Sequence, residues 1–181
     1  MVSIAKKILN TGVIMSLALI FASIDTPLTR SQQPQNSNEL RPLTGSSSLL
    51  SLQGGEKLME EAKRAIDSQQ YRLAATKLKE ARQVYSQLSN FYLQLANSFA
   101  GIDPTIYEAQ RNNALKTGIM RDEATYQLAL VHRAQQQPEL SVPLLIQVIR
   151  SQNPTSELGK KSYQQLYELG FVDSPYQTSR N

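Results

Sequence analysis

His132 is the single histidine of this 181-residue chain and the first place to look for acid–base or metal chemistry. An imidazole needs partners in either role, whether a group to orient it, a nucleophile, or further metal ligands. The chain has no second histidine and no cysteine. That excludes thiolate zinc sites, thiol catalysis, disulfides and a lipid-modified cysteine at the N-terminus. The adjacent carboxylates Glu60-Glu61 and Asp122-Glu123 do not fill the gap, because neighbours on a helix point in different directions. They fit solvated surface and first-turn charges that favour the helix dipole. No glycine-rich phosphate loop, HExxH or GxSxG motif occurs. The expectation is a protein without catalytic residues, metal ligands or cofactors, in which His132 is a partly buried ring.

The charge pattern points away from nucleic acid. The formal net charge of +4 comes from 19 basic and 15 acidic residues, and without Lys6 and Lys7 it is 17 against 15, or +2. Phosphate-binding surfaces gather Lys and Arg on one face. Here the bases alternate with acids, as in EEAKRAIDSQ (60–69).

The elements that would position any site begin well inside the chain. Residues 1–24 carry Lys6 and Lys7, then an almost uncharged apolar run from Ile8 to Ile24, the order of a secretory signal peptide. Ala22 is the best last residue of a cleaved segment, although Ile20 is large for its position. Left uncleaved, residues 8–24 would act as a membrane tether with the lysines inside. Either way the folded part is expected outside the cytoplasm, in the periplasm or an equivalent lumen. Residues 25–54, rich in Ser, Gln, Asn, Pro and Gly, read as a flexible polar linker, whose SSLLSL stretch would add a short helical turn to the domain after it.

From Gly55 the apolar spacing is helical. Leu58, Ala62 and Ile66 recur every four residues, and Tyr71, Ala74, Leu78, Ala81, Tyr85, Leu88, Tyr92, Leu95 and Phe99 follow a 3,4 heptad. At that spacing Tyr71, Tyr85 and Tyr92 read as core. Gly101 interrupts the pattern. Asp103 and Pro104 start a helix that is expected to fade at Thr117–Gly118. Asp122 would cap the next, to about Gln136, and Pro138 would open another with Pro143 near its first turn. Asn153-Pro154 signals a last helix that Gly170 closes, with Tyr163 and Tyr167 capping the exposed end. Residues 172–181 form a tail. No segment alternates like a strand, so the fold class is all-α.

Boundaries at Gly55, Ser89 and Asp122 are spaced by 34 and 33 residues, with a half unit from Ser156. In this register Leu95-Ala96 and Phe99 in one unit match Leu128-Ala129 and His132 in the next. Second-helix positions are Ala74, Leu78 and Ala81, and later Ser141, Leu145 and Val148. Over residues 55–171 the chain thereby resembles the tetratricopeptide (TPR) repeat, which implies antiparallel helix pairs stacked as a short solenoid. Two features depart from it. The middle unit offers a poor second helix around Glu108–Lys116, and the heptad from Tyr71 to Phe99 crosses the boundary at Ser89 without Pro or Gly. One long heptad helix in a helical bundle is the alternative.

The resemblance further implies a concave groove for a protein or peptide partner, lined by Met59 and Lys63, Leu93 and Asn97, and Tyr126 and Arg133. Only Asn97 matches the set that clamps a C-terminal carboxylate. A groove mixing apolar and basic residues would suit an amphipathic or mildly acidic segment. The expected function is a non-enzymatic protein–protein interaction module or adaptor of the cell envelope. The alternative is a structural bundle that forms homo-oligomers through the heptad face.

Overall fold

The computed structural model describes residues 48 and 50–176. Among them are five helices and no strand: α1 (Leu52–Asp67), α2 (Tyr71–Ser98), α3 (Pro104–Ala134), α4 (Pro138–Gln152) and α5 (Glu157–Glu168). The all-α expectation therefore holds for this part of the chain. The signal or anchor segment and most of the linker lie outside the described residues, and no helix among those described is long and apolar enough to cross a membrane.

Local chemistry accounts for three of the five helix starts and for the end of the last helix. The Ser51 hydroxyl accepts from the Gly54 amide at 2.9 Å, so α1 starts three residues before Gly55 and draws Gln53-Gly54 into its first turn. Asp103 accepts from the amides of Thr105 (2.8 Å) and Ile106 (3.0 Å), with Pro104 at the first helical position. That satisfies two donors that a helix start leaves free. Ser156, rather than Asn153, caps α5 by accepting from Gly159 N at 3.0 Å. Gly170 leaves α5 with φ +76°, a conformation suited to glycine.

Each helix turns back on the one before it, and three apolar clusters hold the layers together. Ala62 and Ala65 of α1 meet Ala74, Ala75 and Leu78 of α2 and Leu128 and Val131 of α3. Leu58, Ala81, Tyr85, Leu88 and Ala124 form a second cluster across the same helices. Tyr126 and Ala129 of α3 join Leu145 and Val148 of α4 and Leu166 of α5 in the third. The C-terminal half of α3 is thus the central rod, with α1 and α2 on one side and α4 and α5 on the other. The alanines let helix axes approach closely. Burial of each large side chain such as Leu78, Leu128 or Leu145 contributes about 1.5–3 kcal/mol.

Two expected breaks are absent, and the repeat boundaries at Ser89 and Asp122 fall inside helices. α2 runs unbroken through Ser89, so the long heptad helix forms. The Ser89 hydroxyl, which a turn would have used, instead donates to the Ala114 carbonyl of α3 at 3.0 Å. α3 likewise continues through Thr117 and Gly118. Thr117 is buried and donates to the carbonyls of Asn113 (2.8 Å) and Ala114 (3.1 Å) within its own helix. Asp122 caps nothing. It is fully buried in mid-helix and accepts from Arg121 Nε (2.8 Å) and Nη2 (3.0 Å), Ser151 Oγ (2.5 Å) and Gln152 Nε2 (2.7 Å). Its carboxylate clamps the end of α4 to α3.

Helix lengths have a further consequence. At 1.5 Å per residue α2 and α3 extend about 42 and 46 Å, against about 24 Å for α1. Residues 93–110 therefore form a helical hairpin beyond the reach of α1. Within it only Ala96 is buried.

Candidate functional site

α1 and α3 both pack on α2 and meet each other only narrowly, in the core cluster around Ala62 and Leu128. The gap between them is an open groove of about 880 Å³. Its first wall is one stripe of α1, with Glu56, Met59, Glu60, Lys63, Ile66 and Asp67 recurring at helical spacing. The second is the stripe Ile119, Met120, Glu123 and Gln127 of α3, and the floor is Leu78 and Tyr85 of α2. Both floor residues are 1% exposed, so they form a fixed base rather than a movable lid.

Gly55 sets how closely the first wall approaches that base. A Cβ added there would collide with Tyr85 Cε1 and lie 2.7 Å from Cζ. Only glycine lets α1 sit directly on the ring.

The groove's charged lining is four carboxylates, Glu56, Glu60, Asp67 and Glu123, against one ammonium, Lys63. Lys63 is already paired with Asp67 at 2.9 Å. Glu60 has Arg64 Nη1 at 3.6 Å, with both side chains exposed, and Glu123 accepts from Gln127 Nε2 at 2.9 Å. Glu56 and Glu123 make no ion pair among the described residues. Burial, and then the carboxylate of Glu56, push the Tyr85 phenol up to about 12. The floor is therefore neutral at physiological pH while the rim is negative.

The six residues expected to line one binding surface do not share it. Met59 and Lys63 line the groove. Leu93 and Asn97 are exposed on the far part of α2, because that helix does not turn at Ser89. Tyr126 is buried against α4 and α5. Arg133 faces α5, where it donates to Glu168 at 2.6 Å and also to Gln165. Of the expected lining only Met59 and Lys63 border this cleft, which is apolar and acidic: Arg133 lies elsewhere, paired with Glu168, and Lys63 is outnumbered.

The α1 stripe was open to detection from its periodicity. The α3 stripe was hidden by the helix break expected at Thr117–Gly118, which separated Ile119 and Met120 from Glu123 and Gln127. His132 is 5% exposed, in the last turn of α3, with Nδ1 3.1 Å from Gln137 Oε1. It joins the end of α3 to the turn before α4.

Neither a family model, nor a curated protein, nor a solved structure matches the chain.

Proposed function

We propose that this chain is a non-enzymatic protein–protein interaction module of the cell envelope, exported or tethered through residues 8–24, whose binding site is the groove between α1 and α3. The observation that carries this reading is the groove itself: an open, mainly apolar cleft with a rigid aromatic floor and two helical walls, the form that takes a segment of another protein. An extracytoplasmic location is supported by the Lys6-Lys7 and Ile8–Ile24 pattern.

A TPR-like stack is the architecture that best reconciles repeat and helices. α1 with the first half of α2 would be one pair, the second half of α3 with α4 another, and α5 a half unit. These coincide with the units whose small and bulky positions match best. The middle unit, with the poorest match, would be an insertion spent on the helical hairpin. Self-association through the heptad loses its main support, since Ala74, Leu78, Ala81, Tyr85 and Leu88 are buried in the chain's own core.

Site-specific photo-crosslinking in envelope membranes tests the reading. A crosslinker at Met59 or Ile119 should yield one adduct that is absent when it is moved to the exposed Lys79. Ile119→Glu should abolish the Met59 adduct in a folded chain. The same adduct at Lys79, or none at the groove, would exclude the groove as the site.

A further inference from the structure

We infer that the segment this groove takes is a cationic amphipathic helix, an inference that rests on the groove being the binding site. Three features point to it. Glu56 and Glu60 stand on the α1 wall and Glu123 on the α3 wall, so carboxylates border the cleft on both sides. A rod lying between them would meet Glu56 and Glu60 at one edge and Glu123 at the other. The only ammonium of the lining is engaged by Asp67.

The surface between those carboxylates is apolar: Met59, Ile66, Ile119 and Met120, over the buried Tyr85 ring. Methionines adapt their shape to a ridge of side chains. An occupant that matches both surfaces needs an apolar stripe flanked by Lys or Arg on either side.

The backbone of the occupant decides between helix and extended chain. The walls are helices, whose own amides and carbonyls are paired within each helix, and among the described residues there is no strand edge to extend. Gln127 is the one carboxamide of the lining. An extended peptide would leave the backbone groups it turns to the apolar strip of the cleft unpaired, at a desolvation cost. A helix satisfies its backbone internally and needs only side-chain contacts.

The test uses the full chain and three fluorescent model helices of about five turns. They share one leucine–alanine face, with flanking positions filled by Lys, Gln or Glu, and binding is read by anisotropy. The Lys-flanked helix should bind about tenfold more tightly than the Gln-flanked one, equivalent to about 1.4 kcal/mol spread over three carboxylates. The Glu-flanked helix should bind more weakly still. The preference should collapse at about 0.5 M salt, where screening acts over a few ångströms. The order should invert in Glu60→Lys/Glu123→Lys, with helical content unchanged.

Equal binding of all three helices, abolished by Ile119→Glu, would overturn the cationic occupant and leave the groove standing. Binding of the Lys-flanked helix that neither Ile119→Glu nor the charge reversal alters would put it outside the groove and overturn the inference. No binding by any of the three would count against both the inference and the groove.

Discussion

Gly55 and Gly118 are both glycines inside helices, and replacing each by alanine should have opposite effects. Alanine is favoured over glycine in a helix by about 1 kcal/mol. At Gly118 the new methyl would lie 3.6 Å from Ser89 Oγ, an ordinary contact, so Gly118→Ala should gain about 0.5–1 kcal/mol. At Gly55 the methyl meets the Tyr85 ring, 2.7 Å from Cζ and 3.1 Å from Cδ1. That ring is 1% exposed and packed among Leu58, Ala81, Leu88 and Ala124, so swinging it away from α1 would break those contacts. Overpacking of this kind costs about 1–3 kcal/mol, and the confinement puts Gly55 towards the upper end. After the propensity gain the net loss is about 1–2 kcal/mol. At about 4 °C per kcal/mol, Tm should fall by about 4–8 °C in Gly55→Ala and rise by about 2–4 °C in Gly118→Ala, read by far-ultraviolet circular dichroism. In a Tyr85→Leu background the Gly55→Ala penalty should shrink, which isolates the pair. Shifts of the same sign in the two variants, or an undiminished penalty without the ring, would refute the reasoning.

Removing the Asp122 carboxylate leaves Arg121, Ser151 and Gln152 without their shared acceptor. Asp122→Ala should cost about 3 kcal/mol, seen as a lower urea midpoint at constant slope, and a loss below about 1 kcal/mol would deny the clamp its role. The hydrogen bond from Arg133, then that from Gln164, holds Glu168 below the ordinary carboxylate value. A lowered folded-state pKa confers stability that is present above the unfolded-state value and is lost as pH falls through the folded one. Arg133→Gln should therefore flatten the acid limb of a Tm–pH curve, and parallel curves would contradict this. Tyr85 is raised from 10.0 to about 12, so its contribution is intact below 10.0 and is lost as pH rises towards about 12. Phenolate absorbance should show one tyrosine ionising near 12, and Tyr85→Phe should remove that step together with part of the alkaline loss of stability.

The sign of the groove shows how side chains acquire a collective property that none has alone. Lys63 and Arg133 are cations on the first and third predicted wall helices; Lys63 pairs with Asp67 four residues on within α1, whereas the pairing of Arg133 with Glu168 follows only from folded geometry. Glu56, Glu60 and Glu123 become one acidic rim only once α1 and α3 stand across the same floor. Had α2 turned at Ser89, Leu93 and Asn97 would have stood on a wall helix between them.

The sequence by itself determined the features whose physics is local. Apolar recurrence at three and four residues makes helices, Asp103-Pro104 starts one, Pro138 starts another, and Gly170 ends the last. Each is decided by dihedral preference and hydrogen bonds within about one turn. Tertiary structure alone decided whether the chain bends at Ser89 and Thr117–Gly118. A hydroxyl or a glycine permits a break without requiring one, and the opposing helix tips the balance by offering Ser89 the Ala114 carbonyl and by packing Met120 and Ala124 into the cluster of Tyr85 and Leu88. It also decided that Asp122 is a buried clamp rather than a cap, since Ser151 and Gln152 reach it from a different helix. The groove belongs to the same class, because it is the space left where two helices share a third.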